Sequence, residues 1–365
     1  MNSDFATALG RALEQTRAGN PAEATRLIQA GLGGMPSLAG TAAPAATSAP
    51  MPRRRPLSQV IASLVDGGTR RAPSAPTGKT VTVPDGAQFL SRQHSGVHGA
   101  RAYRLYLPAT GDAPVKGLVV MLHGCTQNAD DFAVGTAMNA QVERHGFAVL
   151  YPQQERGHNA MACWNWFRPG DQLAGRGEPA LLAEMTHAVA AEIGVAAPHI
   201  FVAGLSAGGA MAAILGAAYP TLFAAVGVHS GLAPGAASDV AGAFAAMKGQ
   251  GTAPAQPRSV PTILFHGTAD QTVHPSNGEA VLRAALGPAD TTITEDRPGS
   301  TGRAATRVIH HGTDGRLLAE SWRIEGAGHA WSGGDAGGSY TDSAGPDASA
   351  EMLRFFRAVA QEAGQ

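Results

Sequence analysis

From about residue 80 onwards, short apolar runs alternate with stretches of helical periodicity. This alternation is typical of strands joined by crossover helices around a mostly parallel sheet. Strands are predicted at 100–108, 117–124, 147–152, 199–205, 223–230, 262–267 and 320–326. Helices are predicted near 130–145, 178–194, 207–218, 277–286 and 349–363. The sequence therefore predicts an open α/β sheet with helices on both faces.

The first 79 residues differ in composition from the rest of the chain. Residues 1–33 carry apolar side chains at helical spacing on either side of a Gly-Asn-Pro break, which predicts a helical hairpin. Residues 34–79 are rich in Ala, Pro, Ser and Thr, a composition that buries too little apolar surface to order itself. Three zones are thus expected: the hairpin, a flexible linker, and an α/β domain over residues 80–365. For the hairpin, packing on its own domain is favoured over a docking role.

Composition and charge argue against several classes of function. The 365 residues are 44% hydrophobic and 15% charged, enough to bury a full core. A formal net charge of −1 gives no field that would attract nucleic acid or an anionic membrane. Neither a membrane span nor a leader peptide is recognised, so a cytoplasmic location is expected. In that reducing compartment Cys125 and Cys163 are expected to be free, or at most to form one optional bridge.

One strand-to-helix junction, in HIFVAGLSAGGAMAAIL at 199–215, carries a serine between small residues. Its segment 204–208, GLSAG, matches G-x-S-x-G, the nucleophile elbow, in which a sharp turn exposes a strained serine at the top of the sheet. The glycines let strand and helix approach closely, and the helix N-terminus offers free N–H groups to an oxyanion. Ser206 is therefore the predicted nucleophile, although a glycine-rich turn with an incidental serine is the simpler alternative.

A serine nucleophile needs a histidine base and a carboxylate that orients the base. In α/β sheets these groups follow later strands, in the order serine, acid, histidine. Asp270 follows the strand in TILFHGTAD, and His329 follows the last strand in EGAGHAW. Other downstream acids are Glu295, Asp296 and Asp335, and other histidines are His266, His274, His310 and His311. Only Asp270 and His329 have the predicted placement.

A second oxyanion donor should come from the loop after an earlier strand. LVVMLHGCTQN ends such a strand, so the backbone N–H of Cys125 is predicted to act together with that of Ala207. His123 is then structural. A Cys-His enzyme with Cys125 as nucleophile is the competing hypothesis, but no other feature supports it.

These motifs resemble the esterase family of poly(3-hydroxybutyrate) depolymerases, which also contains feruloyl and acetylxylan esterases. The stretches that carry the resemblance are LHGCTQNADDF at 122–132, CWNWF at 163–167, 199–232, ILFHGTADQTVHP at 263–275 and GAGHAWSGG at 326–334. The resemblance implies an α/β-hydrolase fold, the triad and oxyanion amides assigned above, and Trp331 close to the bound acyl chain. The resemblance would also fit a Cys125–Cys163 pairing. The expected cytosolic conditions argue against assuming that pairing.

The leading hypothesis is a serine carboxylesterase that hydrolyses poly- or oligo-3-hydroxybutyrate-type esters through an acyl-enzyme. No cofactor or metal is expected, and a polyester granule surface is the candidate partner of the hairpin. Trp164, Trp166 and Trp331 are expected to flank the mouth of the site, where aromatic walls suit acyl chains and phenolic rings equally. The alternatives are a feruloyl or acetyl esterase, more remotely a serine peptidase, and a non-catalytic binding or scaffold protein on a hydrolase fold.

Overall fold

The computed structural model of the protein describes residues 80–251, 260–286, 291–297 and 302–363. The helical hairpin predicted for residues 1–33 and the linker predicted for 34–79 lie outside the described residues. Both therefore stay predictions.

Ten strands in the described part of the chain form one sheet. They are β1 (Gln88–Gly96), β2 (Gly99–Leu107), β3 (Gly117–Leu122), β4 (Phe147–Pro152), β5 (Ile200–Leu205), β6 (Ala225–His229), β7 (Thr262–Gly267), β8 (Thr291–Arg297), β9 (Ala305–His311) and β10 (Leu317–Ile324). Two short strands, β11 (Trp331–Ser332) and β12 (Thr341–Asp342), form a separate parallel pair.

The centre of the sheet is parallel, with strands in the order β4-β3-β5-β6-β7-β10. Antiparallel pairs extend it at both sides, β2 and β1 beyond β4, and β9 and β8 beyond β10. Every residue of β3, β4, β5 and β7 is buried, as expected for parallel strands that are covered on both faces. The structure confirms the predicted α/β fold.

Helices cover both faces of this sheet. They are α1 (Ala129–Thr136), α2 (Met138–Glu143), α3 (Gly177–Glu192), α4 (Ala207–Ala218), α5 (Val240–Ala245), α6 (Ser276–Ala285) and α7 (Ala348–Ala363). Successive side chains of a strand point to opposite faces, so β3 contributes Leu118 and Val120 to the core under α3, α4 and α6. Its Val119 and Met121 join the core under α1, α2 and α7. No described helix is long and apolar enough to cross a bilayer.

Two local features differ from the sequence-based predictions. The helix predicted near 130–145 is divided into α1 and α2 because Ala137 adopts a left-handed conformation, with φ 50°. The strands β1, β8 and β9 were not predicted, since β1 and β8 are edge strands and their sequences, QFLSRQHSG and TTITEDR, lack a continuous apolar run.

The packing of α7 on the sheet generates a stability prediction. Phe356 is 0% exposed, and its ring stacks on that of Phe201 in β5 at a centroid distance of 4.8 Å. Phe356→Ala leaves a cavity there and should lower the free energy of unfolding by about 3 to 5 kcal/mol in urea titration. Phe244→Ala, at a side chain that is 46% exposed, should change it by about 0.5 kcal/mol or less. Equal effects of the two substitutions would contradict this packing.

Candidate active site

Ser206 lies at the junction between β5 and α4. Its backbone has φ 57° and ψ −119°, a strained conformation for a residue with a side chain. The strain is held by two backbone hydrogen bonds, since Ser206 N–H donates to the His229 carbonyl and Ala210 N–H donates to the Ser206 carbonyl, each at 2.9 Å. The hydroxyl makes no capping bond with α4, although Ser206 is the N-cap residue. The side chain is thus left available for another role.

The glycines on either side of Ser206 are required by close backbone packing. A Cβ on Gly208 would lie 2.0 Å from the Leu122 carbonyl oxygen of β3. A Cβ on Gly204 would lie 2.4 Å from the Gly208 carbonyl carbon. Neither contact is sterically allowed, and backbone atoms cannot give way as a flexible side chain can. The elbow therefore has the construction that the sequence predicted.

Asp270 and His329 are brought together at the same edge of the sheet. Asp270 follows β7 and His329 follows β10, and these two strands are parallel neighbours. His329 Nδ1 lies 2.8 Å from Asp270 Oδ2. The other carboxylate oxygen, Oδ1, accepts hydrogen bonds from the N–H groups of Thr272 and Val273, each at 2.9 Å. The carboxylate is thus fixed by its own loop and faces the imidazole.

Burial alone would raise the pKa of Asp270, but the hydrogen bond and charge of His329 outweigh this effect. The Val273 N–H group and the charge of His266 act in the same direction, so the pKa of Asp270 lies below its usual value. The carboxylate is ionised at neutral pH and can only accept hydrogen bonds. His329 Nδ1 must therefore carry the proton, which leaves Nε2 of the neutral ring as the basic nitrogen.

Ser206 and the Asp270–His329 pair occupy the carboxyl ends of strands in one parallel array, with β6 between β5 and β7. Within the described residues no hydrogen bond joins the Ser206 hydroxyl to the His329 ring. The structure thus shows the acid–histidine pair assembled and the serine presented separately on its elbow.

His229, at the end of β6, connects these two parts, and sequence reasoning missed it. Its carbonyl accepts the Ser206 N–H, while its ring nitrogen Nε2 accepts the Ser332 N–H at 3.0 Å. The ring also stacks on Trp331 at a centroid distance of 5.2 Å. Burial, together with the charges of His266 and His329, lowers the pKa of His229 to about 3, so the ring stays neutral and can accept. The only sequence signal was a polar residue that ends a buried strand.

His123 has a similar role beside the loop after β3, in agreement with the prediction that it is structural. Its Nε2 accepts the Gln154 N–H at 3.0 Å, and its carbonyl accepts the indole N–H of Trp164 at 3.1 Å. Burial lowers the pKa of His123 to about 4.

His266 was set aside by the sequence analysis, but the structure places it against the acid. Its Nε2 lies 2.8 Å from the Val273 carbonyl oxygen and 3.5 Å from Asp270 Oδ2. It therefore holds the loop that carries Asp270.

The two predicted oxyanion amides lie on the elbow and on the loop after β3. A Cβ on Gly124 would lie 3.6 Å from that of Ser206, so this loop passes directly beside the serine. The loop is held by Gln127, whose side-chain oxygen accepts the Gly124 N–H at 2.9 Å. Among the described residues, no protein acceptor takes the N–H of Cys125 or of Ala207. Both amides are free to donate to a ligand.

Cys125 and Cys163 form a disulfide. Of the two alternatives expected from the sequence, free thiols or one optional bridge, the structure has the bridge. The two cysteines meet because the loop after β3 packs on the segment 159–163, where Thr126 N–H donates to the Met161 carbonyl at 2.8 Å. With Cys125 bonded, the structure has no thiolate at this position, which removes the Cys-His hypothesis.

All three of the predicted substrate-binding tryptophans are core residues. Trp164 is 0% and Trp331 is 1% exposed, and the indole N–H of Trp331 donates to Ser349 Oγ at 3.1 Å. Both large rings pack in the core and both N–H groups find internal acceptors, while a contact of these tryptophans with substrate stays a prediction. Trp166 is also buried and packs edge-on against Phe167.

An exposed aromatic residue that was not predicted lies beside the loop after β3. Tyr340 is 40% exposed, and its hydroxyl lies 3.3 Å from Thr126 Oγ1. No sequence pattern distinguished it, since the contact joins residues that are 214 positions apart.

The fold and the serine elbow define an α/β-hydrolase. The chain belongs to the Esterase PHB depolymerase family, whose family model matches residues 101–294.

Similar proteins include poly(3-hydroxyalkanoate) depolymerase C of Paucimonas lemoignei, 32% identical over 226 residues, 58% of this chain and 54% of the relative. Acetylxylan esterase A of Talaromyces purpureogenus is 29% identical over 184 residues, 44% of this chain and 47% of the relative. The matched region thus spans about half the length of these two relatives. Feruloyl esterase B of Neurospora crassa is 26% identical over 235 residues, 58% of this chain and 77% of the relative.

Among solved structures, an acetyl xylan esterase from Aspergillus awamori superposes with a TM-score of 0.57 at 19% identity. The superposition covers 74% of this chain and 99% of that one. At this identity the likeness shows the fold.

The buried histidines predict that stability decreases in mild acid. An unfolded histidine has a pKa of about 6.5, whereas folded His123 and His229 have lowered values of about 4 and about 3. Below pH 6.5 the unfolded chain therefore binds more protons, and the free energy of unfolding falls as the pH falls. Two such groups give a loss of about 2 kcal/mol between pH 6.5 and 5.5, measurable by urea titration.

His229→Gln should reduce this pH dependence, because one of the two groups is gone. His98→Gln, at an exposed residue, is the matched control and should leave it unchanged. A free energy of unfolding that is constant between these pH values would contradict the neutral, buried state of both rings.

Proposed function

We propose that the protein is a serine carboxylesterase that hydrolyses hydroxyalkanoate esters of the poly- or oligo-3-hydroxybutyrate type. The observation that carries the proposal is the buried, ionised Asp270 bonded to His329 Nδ1, on the sheet edge that also presents Ser206. This arrangement supports general-base activation of a hydroxyl. A scaffold protein would need neither the strained elbow nor the buried acid–histidine pair.

In the proposed first half-reaction, Ser206 Oγ attacks the ester carbonyl carbon while His329 Nε2 takes the hydroxyl proton. Asp270 stabilises the imidazolium that forms, and the N–H groups of Cys125 and Ala207 donate to the oxyanion. Collapse of the tetrahedral intermediate breaks the ester C–O bond, and His329 returns the proton to the departing alcohol. The serine-to-histidine hydrogen bond then forms with substrate bound, since such bonds are often long in free enzymes.

In the second half-reaction, water replaces the alcohol. His329 Nε2 removes a proton from the water, which attacks the acyl carbonyl and gives a second oxyanion in the same site. Collapse releases the carboxylic acid and restores the Ser206 hydroxyl. Each turnover consumes one ester and one water.

The substrate class is proposed from the relatives and from the mouth of the site. The depolymerase of Paucimonas lemoignei is the relative with 32% identity, which favours hydroxyalkanoate esters. The acetylxylan and feruloyl esterase relatives support small or plant-derived esters as the second candidate. Tyr340 is the exposed aromatic side chain beside the loop after β3, and we assign it to substrate contact.

Two further parts of the proposal concern the surroundings of the enzyme. The hairpin predicted for residues 1–33 is proposed to associate with a polyester granule surface. The Cys125–Cys163 disulfide favours an oxidising compartment over the cytoplasm, since reducing conditions keep protein thiols free.

The test compares release of product from amorphous poly(3-hydroxybutyrate) particles, a soluble butyrate ester and methyl ferulate. Ser206→Ala should lower kcat on every cleaved ester by at least about 10⁴-fold, because it removes the attacking atom. Ser91→Ala, on the exposed edge of β1, is the matched control and should have no effect.

Hydroxybutyrate release that depends on Ser206 supports the proposed substrate. Cleavage confined to methyl ferulate or other small esters would favour the second candidate. Near-normal turnover by Ser206→Ala would overturn the mechanism itself.

A further inference from the structure

A second cleft lies at the opposite edge of the sheet from the site, at the amino ends of β3, β4 and β5. Its volume is about 720 Å³, within the range of small-molecule sites. The side chains that define it are Lys116, Arg144, His145, Phe147, His199 and Arg357. The six-residue strands place it roughly 20 Å from the serine elbow. The cleft is therefore separate from the site already described.

The cleft concentrates positive charge in a chain whose formal net charge is −1. Lys116, Arg144 and Arg357 supply three basic side chains, and the described residues that line the cleft include no carboxylate. Within the described residues, Lys116 and Arg357 have no ion-pair partner. Arg144 bonds to the side chain of Gln141, and its charge also acts on Asp347.

The neighbouring histidine shows that the three cations lie close together. Burial lowers the pKa of His145, and the charges of Arg357, Arg144 and Lys116 lower it further. Like charges held in one cleft repel one another, and an anion bound between them would remove that cost. Their convergence is thus explained more readily by a ligand than by the stability of the free protein.

We propose that this cleft binds a small organic phosphate. Guanidinium groups donate paired hydrogen bonds to phosphate oxygens, and an ammonium group adds a point charge, so the set matches an anion with two or more charges. Phe147 and Ala360, which are 5% and 9% exposed, form a small apolar part of the lining, on which the organic part of the ligand can pack. The volume of the cleft is also larger than a bare inorganic ion would occupy.

The test is isothermal titration calorimetry of the full chain at fixed ionic strength, with pyrophosphate and ADP as probes. Wild type should bind both with a Kd below about 1 mM, and ADP more tightly. Arg144→Gln and Arg357→Gln should each weaken binding by at least about tenfold, because each removes a charge-assisted pair. Arg283→Gln, on an exposed arginine of α6 with 70% side-chain exposure, is the matched control and should bind as wild type does.

Equal pyrophosphate affinity in wild type and in the Arg144→Gln, Arg357→Gln double variant would overturn the site. If ADP binds no more tightly than pyrophosphate, the proposal that the ligand has an organic part would be overturned. If wild type binds phosphatidylglycerol vesicles and does not bind ADP, the proposed small-phosphate ligand would be overturned in favour of a lipid headgroup. Arg357→Gln should also keep wild-type ester hydrolysis, so the outcome here is independent of the proposed function.

Discussion

The close approach of α4 to β3 is the constraint on which the rest of the site depends. Gly208 packs so tightly on the Leu122 carbonyl that no side chain fits between them. This contact turns the chain sharply after β5 and holds Ser206 in a conformation that a relaxed loop would leave. The same contact brings the elbow beside the loop after β3, so backbone packing sets Ser206 next to Gly124, the residue before Cys125. The strained backbone conformation of Ser206 is maintained because the hydrophobic core on both faces of the sheet surrounds it.

Around this elbow, buried neutral histidines hold the loops that carry the chemistry. His123 directly follows β3 and His229 ends β6, each accepts a backbone N–H from another segment, and His266 holds the loop of Asp270. A lysine or a protonated histidine could not accept these hydrogen bonds, and a charged ring would be costly at this depth. These contacts hold the loops around Asp270 and Ser332, and the His329 ring is itself bonded to Asp270 Oδ2 at 2.8 Å. The opposite edge of the sheet has a different composition, rich in cations, which is consistent with a separate binding role.

The sequence predicted the buried strands and the strand-end positions of Asp270 and His329, because both depend on local pattern and on the order of elements. It could not predict contacts between loops that are far apart along the chain. The sequence left open whether Cys125 and Cys163 are bonded, because the pairing depends on how two loops meet. The burial of Trp164 and Trp331 could not be predicted for the same reason, since the depth of a loop residue is set by what packs over it. The left-handed turn at Ala137 could not be predicted, because the residue that adopts it is an alanine and not a glycine.

The most direct test of the central claim is covalent labelling with a fluorophosphonate, followed by peptide mass spectrometry. An activated serine should take one label per chain, on Ser206. Asp270→Asn should slow labelling by at least about 100-fold, because His329 then lacks the carboxylate that fixes its basic nitrogen. Asp239→Asn, at the exposed N-cap of α5, should label at the wild-type rate. Labelling of another serine, or an unchanged rate in Asp270→Asn, would contradict the assignment of Ser206, His329 and Asp270 as one catalytic unit.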